Sequence, residues 1–444
     1  SYGTSGSDNI SSNLWRETWS SLGSGSNHTP INGELGSFYR PDGLLANSKL
    51  KWETTISRNF GIDFGFLNNR VNGSLEVYWN TTKDLLMAVP VDNTTGYSYQ
   101  FQNFGKTSNR GIELSVNVDV INKGDFRFNV GAIYNYNRNK LDELPNADQY
   151  LYSSYWGSSS LVPTNDYMFV EGKAIGLVRG FISEGYYTVD DFNYTNGQYV
   201  LKEGVPDITK ALTATYMHPY DLPAGQTAFP GAAKFRDVDE SGTVDLDDAT
   251  CLGEVMPRHT GSFQLNFNYK NFDLSTNFNW TAGGKVYNVA AMINASGQEF
   301  DGIGAQRASW VADAFKVYNV NAAGDLYAVT NPDELRALNA NAKYHLPYHQ
   351  SGITSSEWLE NGSYLRLQTL TLGYTLPKNW LTKVHVDKIR LYLTATNLFT
   401  ITGYSGIDPE VNANPTGQSG FYSDLRIFPT LNMDFGTCPR ARTF

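Results

Sequence analysis

The sequence predicts an all-β protein, an antiparallel transmembrane β-barrel with long extracellular loops. Three observations predict this class. Apolar and polar residues alternate with a period of two, the connections between strands alternate between short and long, and no apolar run approaches the roughly 18 residues that a membrane helix needs. The alternation gives each strand one apolar and one polar face, and a barrel in lipid turns the apolar face outwards.

The clearest alternation runs from Ile112 to Val120. One face carries Ile112, Leu114, Val116, Val118 and Val120, whereas the other carries Glu113, Ser115, Asn117 and Asp119. The same pattern predicts strands over 126–136, 263–269 and 272–280, and weaker versions of it cover 57–67, 70–82, 361–376 and 387–400. The opposite faces are too rich in Asn, Ser, Asp and Glu for a simple solvated surface, which indicates a water-filled or plugged lumen.

The connections between these strands alternate in length. Short turns are predicted at 68–69, 122–124 and 270–271. Long loops are predicted at about 83–106, 140–258, 284–360 and 401–436. A transmembrane barrel has short turns on one side of the membrane and long loops on the other, whereas a β-sandwich has no reason to alternate so regularly.

The amino-acid composition limits which kinds of molecule the protein is expected to bind. The 444 residues include 34 Lys and Arg and 44 Asp and Glu, a net charge of −10. This balance argues against nucleic acid or an anionic bilayer surface, and no basic patch is apparent in the sequence. Two cysteines, Cys251 and Cys438, are too few for a disulfide framework. The sequence contains no recognisable catalytic motif, so no enzyme is predicted.

Several segments resemble the SusC/RagA family, the TonB-dependent outer-membrane transporters of Bacteroidota. They occur in the family's order and together span nearly the whole chain. The segments are LKWETT at 50–55, the run at 59–86, NFGKTSNRGIELSV at 103–116, the D-x-D-x-S-G stretch at 237–242, GSYLRLQTLTLGYTLP at 362–377 and LTATNLFTITGYSGIDPE at 393–410.

The resemblance implies that residues 1–444 form the C-terminal part of a barrel of about 22 strands. The signal peptide, the TonB box and the plug domain are then expected upstream of Ser1, and the last strand is expected beyond Phe444. The implied function is import of oligosaccharides or peptides across the bacterial outer membrane. The implied partners are a SusD-like surface lipoprotein, outer-membrane lipid and the TonB-ExbB-ExbD complex, which is contacted through the missing N-terminal part.

A twelve-residue stretch that begins at Asp237 has the pattern of a calcium loop. Oxygen ligands stand at positions one, three and five, Gly242 stands at the turn position six, and an acidic residue stands at position twelve. The predicted Ca²⁺ ligands are Asp237, Asp239, Ser241, Thr243, Asp245 and Asp248. Position twelve holds Asp in place of the usual Glu, which predicts modest affinity. The alternative is an acidic turn without a metal.

An aromatic cluster lies in the 140–258 loop. Tyr150, Tyr152, Tyr155 and Trp156 offer flat faces that suit sugar stacking or peptide side chains. Aromatic residues also pack loops against each other, so both roles stay open for this cluster. His345 and His349 are four residues apart, but Pro347 disfavours the helix that would align them for a metal, and we interpret them as loop histidines.

A second class of function is compatible with the period-two pattern, namely a soluble secreted β-rich carbohydrate-binding protein with a structural calcium. The two classes differ in what covers the apolar face of the strands. In a transporter barrel, Ile112 and Val116 point towards lipid, whereas in a soluble protein they meet a second layer of protein.

Overall fold

In the part of the chain that the structure describes, nine strands form one continuous antiparallel sheet. The computed structural model describes residues 1–7, 15–21, 30–31, 34–35, 39–41, 43–144, 149–153, 162–213, 218–288, 291–292, 308–346, 353–381, 388–406 and 408–410. The sheet strands are β1 (Tyr2–Ser7), β2 (Glu53–Phe66), β3 (Val71–Lys83), β4 (Lys106–Lys123), β5 (Phe126–Glu143), β6 (His259–Tyr269), β7 (Phe272–Ala282), β8 (Tyr364–Thr375) and β9 (Arg390–Thr402).

The strands follow each other across the sheet in chain order, and every neighbouring pair is antiparallel. The eight strands predicted from alternation are confirmed as β2 to β9. β4 begins six residues before its predicted start and β5 ends seven residues after its predicted end, whereas the other bounds agree within four residues. The three predicted short turns are confirmed between β2 and β3, β4 and β5, and β6 and β7. Residues 67–69 all have positive φ, as a tight asparagine-rich turn requires.

The register places the apolar residues of adjacent strands side by side. Ile112 lies opposite Val77 on β3 and Tyr136 on β5, and Leu114 lies opposite Leu75 and Tyr134. Residues directly opposed in an antiparallel pair share a face, so the apolar sides of the strands merge into one continuous surface, which we call the apolar face. The residues that alternate with these along each strand lie on the opposite side of the sheet, which we call the polar face.

No second layer of described residues covers the apolar face. Ile112 is 40% exposed, Phe60 is 59% exposed and Val116 is half-buried. None of the hydrophobic clusters formed by described residues contains a residue of this face. Within the described residues, Ile112 and Val116 therefore meet no second layer of protein, as predicted for a transporter barrel.

The main hydrophobic core lies in the loops rather than on the sheet. The connections 84–105, 144–258 and 283–363 all leave the same end of the sheet because its strands are antiparallel. The larger cluster, which we call the loop core, joins the second and third of these connections through Phe181 and Phe235 on one side and Phe315 and Ile353 on the other. The sequence predicts these stretches only as long loops, whereas in the structure they fold into a packed layer.

The loop layer is built from short elements. Its strands are Trp19–Ser21, Pro30–Ile31, Glu34–Leu35, Tyr39–Pro41, Leu44–Leu45, Leu86–Pro90, Tyr99–Asn103, Gln149–Tyr152, Tyr167–Val170, Leu177–Gly180, Ser183–Tyr186, Phe192–Thr195, Gln198–Leu201, Asp207–Ile208, Ala233–Phe235, Thr243–Val244, Thr250–Glu254, Lys285–Tyr287, Tyr318–Val320, Leu326–Ala328 and Leu359–Asn361. Its helical turns are Asn93–Thr95, Val189–Asp191, Lys210–Thr213, Leu246–Asp248, Ala308–Asp313, Pro332–Leu338 and Ser356–Trp358.

One further helix, Lys378–Leu381, lies at the opposite end of the sheet, in the connection from β8 to β9. Among the described residues, no helix has the length and apolar character needed to cross a membrane.

Candidate functional site

The predicted calcium loop folds as a compact turn inside the loop layer. It follows the strand Ala233–Phe235 and ends in the helical turn Leu246–Asp248. The carboxylate oxygens of Asp237, Asp239 and Asp248 lie within 4.8 Å of one another. Gly242 has φ +85°, a backbone conformation that favours glycine at the sharp bend. The structure therefore brings three of the six predicted ligands together at one point.

Asp248 closes this loop. Its side chain is fully buried, and its Oδ1 accepts hydrogen bonds from the backbone N–H groups of Val238 at 2.5 Å and Asp239 at 3.3 Å. Its Oδ2 accepts a third hydrogen bond from the N–H of Asp245 at 2.8 Å. The residue at position twelve thus reaches back to positions two and three, and the carboxylate is held in place before any ion binds.

The remaining predicted ligands lie around this carboxylate cluster. The Ser241 hydroxyl donates to the Thr243 carbonyl at 3.0 Å, and Asp245 accepts from the N–H of Asp247 at 2.8 Å and so caps the helical turn. A backbone hydrogen bond from Ser241 lowers the pKa of Asp239 below its ordinary value, so this carboxyl is ionised at neutral pH.

The carboxylate cluster has no cationic partner among the described residues. The nearby Lys234 and Arg236 pair with Asp191 and Glu184 instead. A group of carboxylates that includes a fully buried member and lacks a cation fits the chemistry of a hard divalent ion such as Ca²⁺.

The aromatic cluster is only partly described. Tyr152 is half-buried, and its ring packs edge-on against Phe169 with a centroid separation of 6.1 Å. Tyr150 belongs to the strand Gln149–Tyr152, where its backbone pairs with that of Phe169. Tyr155 and Trp156 lie outside the described residues. Tyr152 packs within the loop layer, and ligand contact by the cluster stays a prediction.

A groove on the polar face was not singled out by the sequence analysis. It has a volume of about 270 Å³ and its rim carries amides and hydroxyls. Its lining includes Ser115, Asn117, Gly131, Ser262, Gln264 and Asn277. A Cβ at Gly131 would lie 2.9 Å from the Asn117 Oδ1, so the missing side chain helps to keep this space open. The alternation indicated a polar lumen face, but the register across three pairs of strands decides which residues meet.

A half-buried acid and a buried imidazole lie close together where two of the long loops join. His345 is 2% exposed, its Nδ1 lies 2.9 Å from the Leu346 carbonyl, and its Nε2 lies 3.9 Å from a Glu357 carboxylate oxygen. Burial lowers the pKa of His345 to about 4 and raises the pKa of Glu357 to about 7. His345 is therefore a core residue of the loops, and His349 lies outside the described residues.

We expect Glu357→Gln to stabilise the loop layer above neutral pH. Because the folded-state pKa of Glu357 is above its ordinary value, the native protein loses stability as the pH rises from 4.5 to about 7. The lowered pKa of His345 acts in the opposite sense, and stability is lost as the pH falls from 6.5 to about 4. Glutamine cannot ionise, so Glu357→Gln removes the loss of stability above pH 4.5 and leaves the effect of His345 unchanged. The variant should exceed the native protein by about 2 kcal/mol at pH 8.

The measurement is hydrogen exchange of the loop amides at pH 5 and pH 8, corrected for the intrinsic exchange rates. Glu203→Gln, which changes an exposed glutamate of the same layer, is the control. A pH-independent difference between Glu357→Gln and the native protein would contradict the burial argument.

Comparison with known proteins decides the family of this chain. The family model described as "TonB dependent receptor-like, beta-barrel" matches residues 12–398. The chain belongs to this family. Its membership confirms the predicted fold class and places the chain in the outer membrane. The alternative of a soluble secreted binding protein is wrong, because both the family and the uncovered apolar face contradict it.

Individual members of the TonB-dependent receptor family extend the likeness over the whole chain. TonB-dependent receptor P3 of Formosa agariphila is 29% identical over 445 residues, which cover 100% of this chain and 38% of the relative. TonB-dependent receptor SusC of Bacteroides thetaiotaomicron is 27% identical over 383 residues, which cover 83% of this chain and 31% of SusC. The chain thus spans about a third of the length of these receptors.

A solved structure shows the same fold. The structure titled "Structure of the RagAB peptide transporter" superposes with a TM-score of 0.62 at 23% sequence identity, covering 92% of this chain and 37% of the matched chain. The nine-stranded sheet with its loop layer is therefore the receptor barrel fold over part of the barrel wall.

Proposed function

We propose that this chain forms wall, lumen lining and outer loops of a TonB-dependent transporter that imports oligosaccharides or peptides. The observation that carries the proposal is the two-sided sheet of a TonB-dependent receptor, with an uncovered apolar face and a polar face that contains a groove. Such a sheet separates lipid from an aqueous path, which is the arrangement that transport requires.

Two substrate classes fit the groove chemistry. Amide and hydroxyl groups such as those of Asn117, Ser262 and Gln264 can donate to and accept from both peptide backbones and sugar hydroxyls. RagAB is named as a peptide transporter, which supports peptides. The likeness to SusC supports oligosaccharides as the other class, because glycans are among the substrates that the resemblance to its family implies.

The proposal includes two partners. A SusD-like surface lipoprotein would dock on the loop layer, which gathers at one end of the sheet and offers a folded surface there. Energy would come from the TonB-ExbB-ExbD complex through residues upstream of this chain. Co-purification of a surface lipoprotein with the full-length transporter tests the first partnership, and uptake in a strain without TonB tests the second.

Uptake by intact cells tests the transport proposal. The full-length transporter should accumulate labelled oligopeptides or oligosaccharides, and only when TonB is present. Gln264→Leu combined with Asn277→Leu removes two polar groups of the groove and should reduce uptake several-fold. Asn268→Leu is the matched control on the same strand and the same face, outside the groove. Uptake of neither substrate class, at normal surface expression, would contradict the proposal.

We also propose that the loop 237–248 binds Ca²⁺. Asp237, Asp239 and Asp248 would hold the ion, and the oxygens of Ser241, Thr243 and Asp245 lie in the same turn to complete the shell. The support is the carboxylate cluster with its buried member and without a cation among the described residues. The ion would stiffen the loop layer rather than take part in chemistry.

Asp237→Ala is expected to weaken Ca²⁺ binding about tenfold or more, because it removes the carboxylate at position one. Calorimetric titration of the full-length transporter, first stripped with a chelator, measures the effect. Glu203→Gln removes an exposed negative charge of the same loop layer and should leave binding unchanged. Equal Ca²⁺ uptake by Asp237→Ala and the native protein would rule out this site.

A further inference from the structure

A row of arginines crosses the sheet at the loop end of the apolar face. Arg110 on β4 lies directly opposite Trp79 on β3 and Arg138 on β5. Arg58 on β2 lies on the other side of Trp79, between the registered pairs Ile56 with Thr81 and Asn59 with Tyr78. Neighbouring strands are about 4.8 Å apart, so Arg58, Arg110 and Arg138 span roughly 15 Å. We call these three residues the arginine row.

The arginine row belongs to the surface that meets lipid. One rung further from the loops, the same face carries Val77, Ile112 and Tyr136. Arg110 and Arg138 are exposed, and Trp79 between Arg58 and Arg110 is 46% exposed. An exposed tryptophan at the edge of an apolar band is typical of the membrane–water interface. Because the longer loops of outer-membrane barrels are extracellular, the loop end of the sheet corresponds to the headgroups of the outer leaflet.

The described residues provide no acidic partner for the arginine row. Nearer the loops, Lys106 pairs with Glu143 at 2.8 Å and Lys140 pairs with Asp142 at 3.4 Å. In the described part of the chain, no carboxylate lies within 4.0 Å of a nitrogen of Arg58, Arg110 or Arg138.

The placement of Arg110 opposite Arg138 is unfavourable without an anion. Like charges directly opposed on one face of an antiparallel pair destabilise it. Arg58 donates to the neutral Thr81 hydroxyl at 3.4 Å, and to no carboxylate of the described residues. The expectation that no basic patch exists is therefore wrong for this face, although the chain as a whole carries a net charge of −10. A cationic row on such a protein is complementary to an anionic partner.

We propose that the arginine row binds the phosphate groups of a phosphorylated glycolipid in the outer leaflet. A guanidinium group binds phosphate through two parallel hydrogen bonds, and its charge persists at any physiological pH. The adjoining apolar face receives the acyl chains of the same molecule, which a free phosphate ion lacks. The charged row and the apolar face are continuous, which favours a lipid over a free anion.

The full-length transporter in a mild detergent is used to test this proposal. The probe is diphosphorylated lipid A, and binding is read by native mass spectrometry without any transport substrate, so it is independent of the import proposal. Arg110→Gln combined with Arg138→Gln should reduce the bound lipid about tenfold. Arg127→Gln, on the polar face of β5 near the opposite end of the strand, is the matched control and should retain it.

Two further binding measurements identify which part of the ligand is recognised. Lipid A without its phosphate groups should bind at least several-fold more weakly, and inorganic phosphate at millimolar concentration should not displace the phosphorylated lipid. Equal binding of both lipids, displacement by inorganic phosphate, or full retention by the double variant would each overturn the proposal.

Folding of every variant is checked by its mobility shift on heating in gel electrophoresis. If the double variant fails to fold, the single variants Arg110→Gln and Arg138→Gln replace it, and each is expected to lose about threefold in binding. Undiminished binding by both single variants would overturn the proposal as well.

Discussion

Val116→Lys is expected to destabilise the folded transporter by about 2–4 kcal/mol, because it places an ammonium group on the lipid side of the barrel wall near its middle. Val116 lies on the apolar face, opposite Gly73 and Ala132, with two apolar rungs between it and the arginine row. Neither neighbour offers an acceptor side chain for the ammonium group. Urea titration of the full-length protein in lipid vesicles measures the change in the free energy of unfolding.

Asn117→Lys is the control for this prediction, because it inserts the same side chain one residue further along β4. Asn117 lies on the polar face and lines the groove, where water solvates the charge. We expect a change below about 1 kcal/mol. Equal destabilisation by Val116→Lys and Asn117→Lys would show that the two faces of the sheet have been assigned wrongly to lipid and lumen.

Phe181→Ala is expected to destabilise the loop layer by about 3–5 kcal/mol and to leave the sheet intact. Phe181 is fully buried in the loop core, and its ring lies 5.6 Å from that of Phe235. The cavity would form between the connections 144–258 and 283–363, and the loop core shares no residue with the apolar face. Hydrogen exchange should therefore accelerate in the loop strands, while the amides of β4 and β5 keep their protection.

Leu326→Ala provides the comparison, since it truncates a large apolar side chain of the same layer that is 69% exposed. This variant should change loop exchange little. If Phe181→Ala accelerated hydrogen exchange equally in the loop strands and in β4 and β5, the loop layer and the sheet would not be independent. That result would mean that the loop layer and the sheet unfold as one cooperative unit.

The strands of the wall could be predicted from the sequence because their signal is local. Alternation from Ile112 to Val120 and the turns at 68–69 and 270–271 each depend on a few consecutive residues. The same holds for the acidic turn 237–248, where Asp237, Asp239 and Asp248 lie within one stretch of twelve residues and come together by local folding. All these features depend on interactions between residues that are close together in the chain, so they can be predicted from a single sequence.

The loop core could not be predicted, because its contacts join residues far apart in the chain. Phe181 and Ile353 belong to the same cluster, yet more than a hundred residues separate them. No period of apolar residues marks this cluster, so the sequence predicts the stretches that contain it only as long loops. Burial also decides the protonation of His345 and Glu357, because their side chains lose water only after the two loops have packed together.

The sequence by itself determined which residues form strands, which side of each strand is apolar and where an acidic turn gathers carboxylates. The tertiary structure alone decided which residues of different strands stand side by side. Arg58, Arg110 and Arg138 are scattered among acidic and neutral residues in the chain, and antiparallel register aligns them on one face. Strand pairing converts separations of tens of residues into distances of about 5 Å, so charge patterns arise that no local window contains.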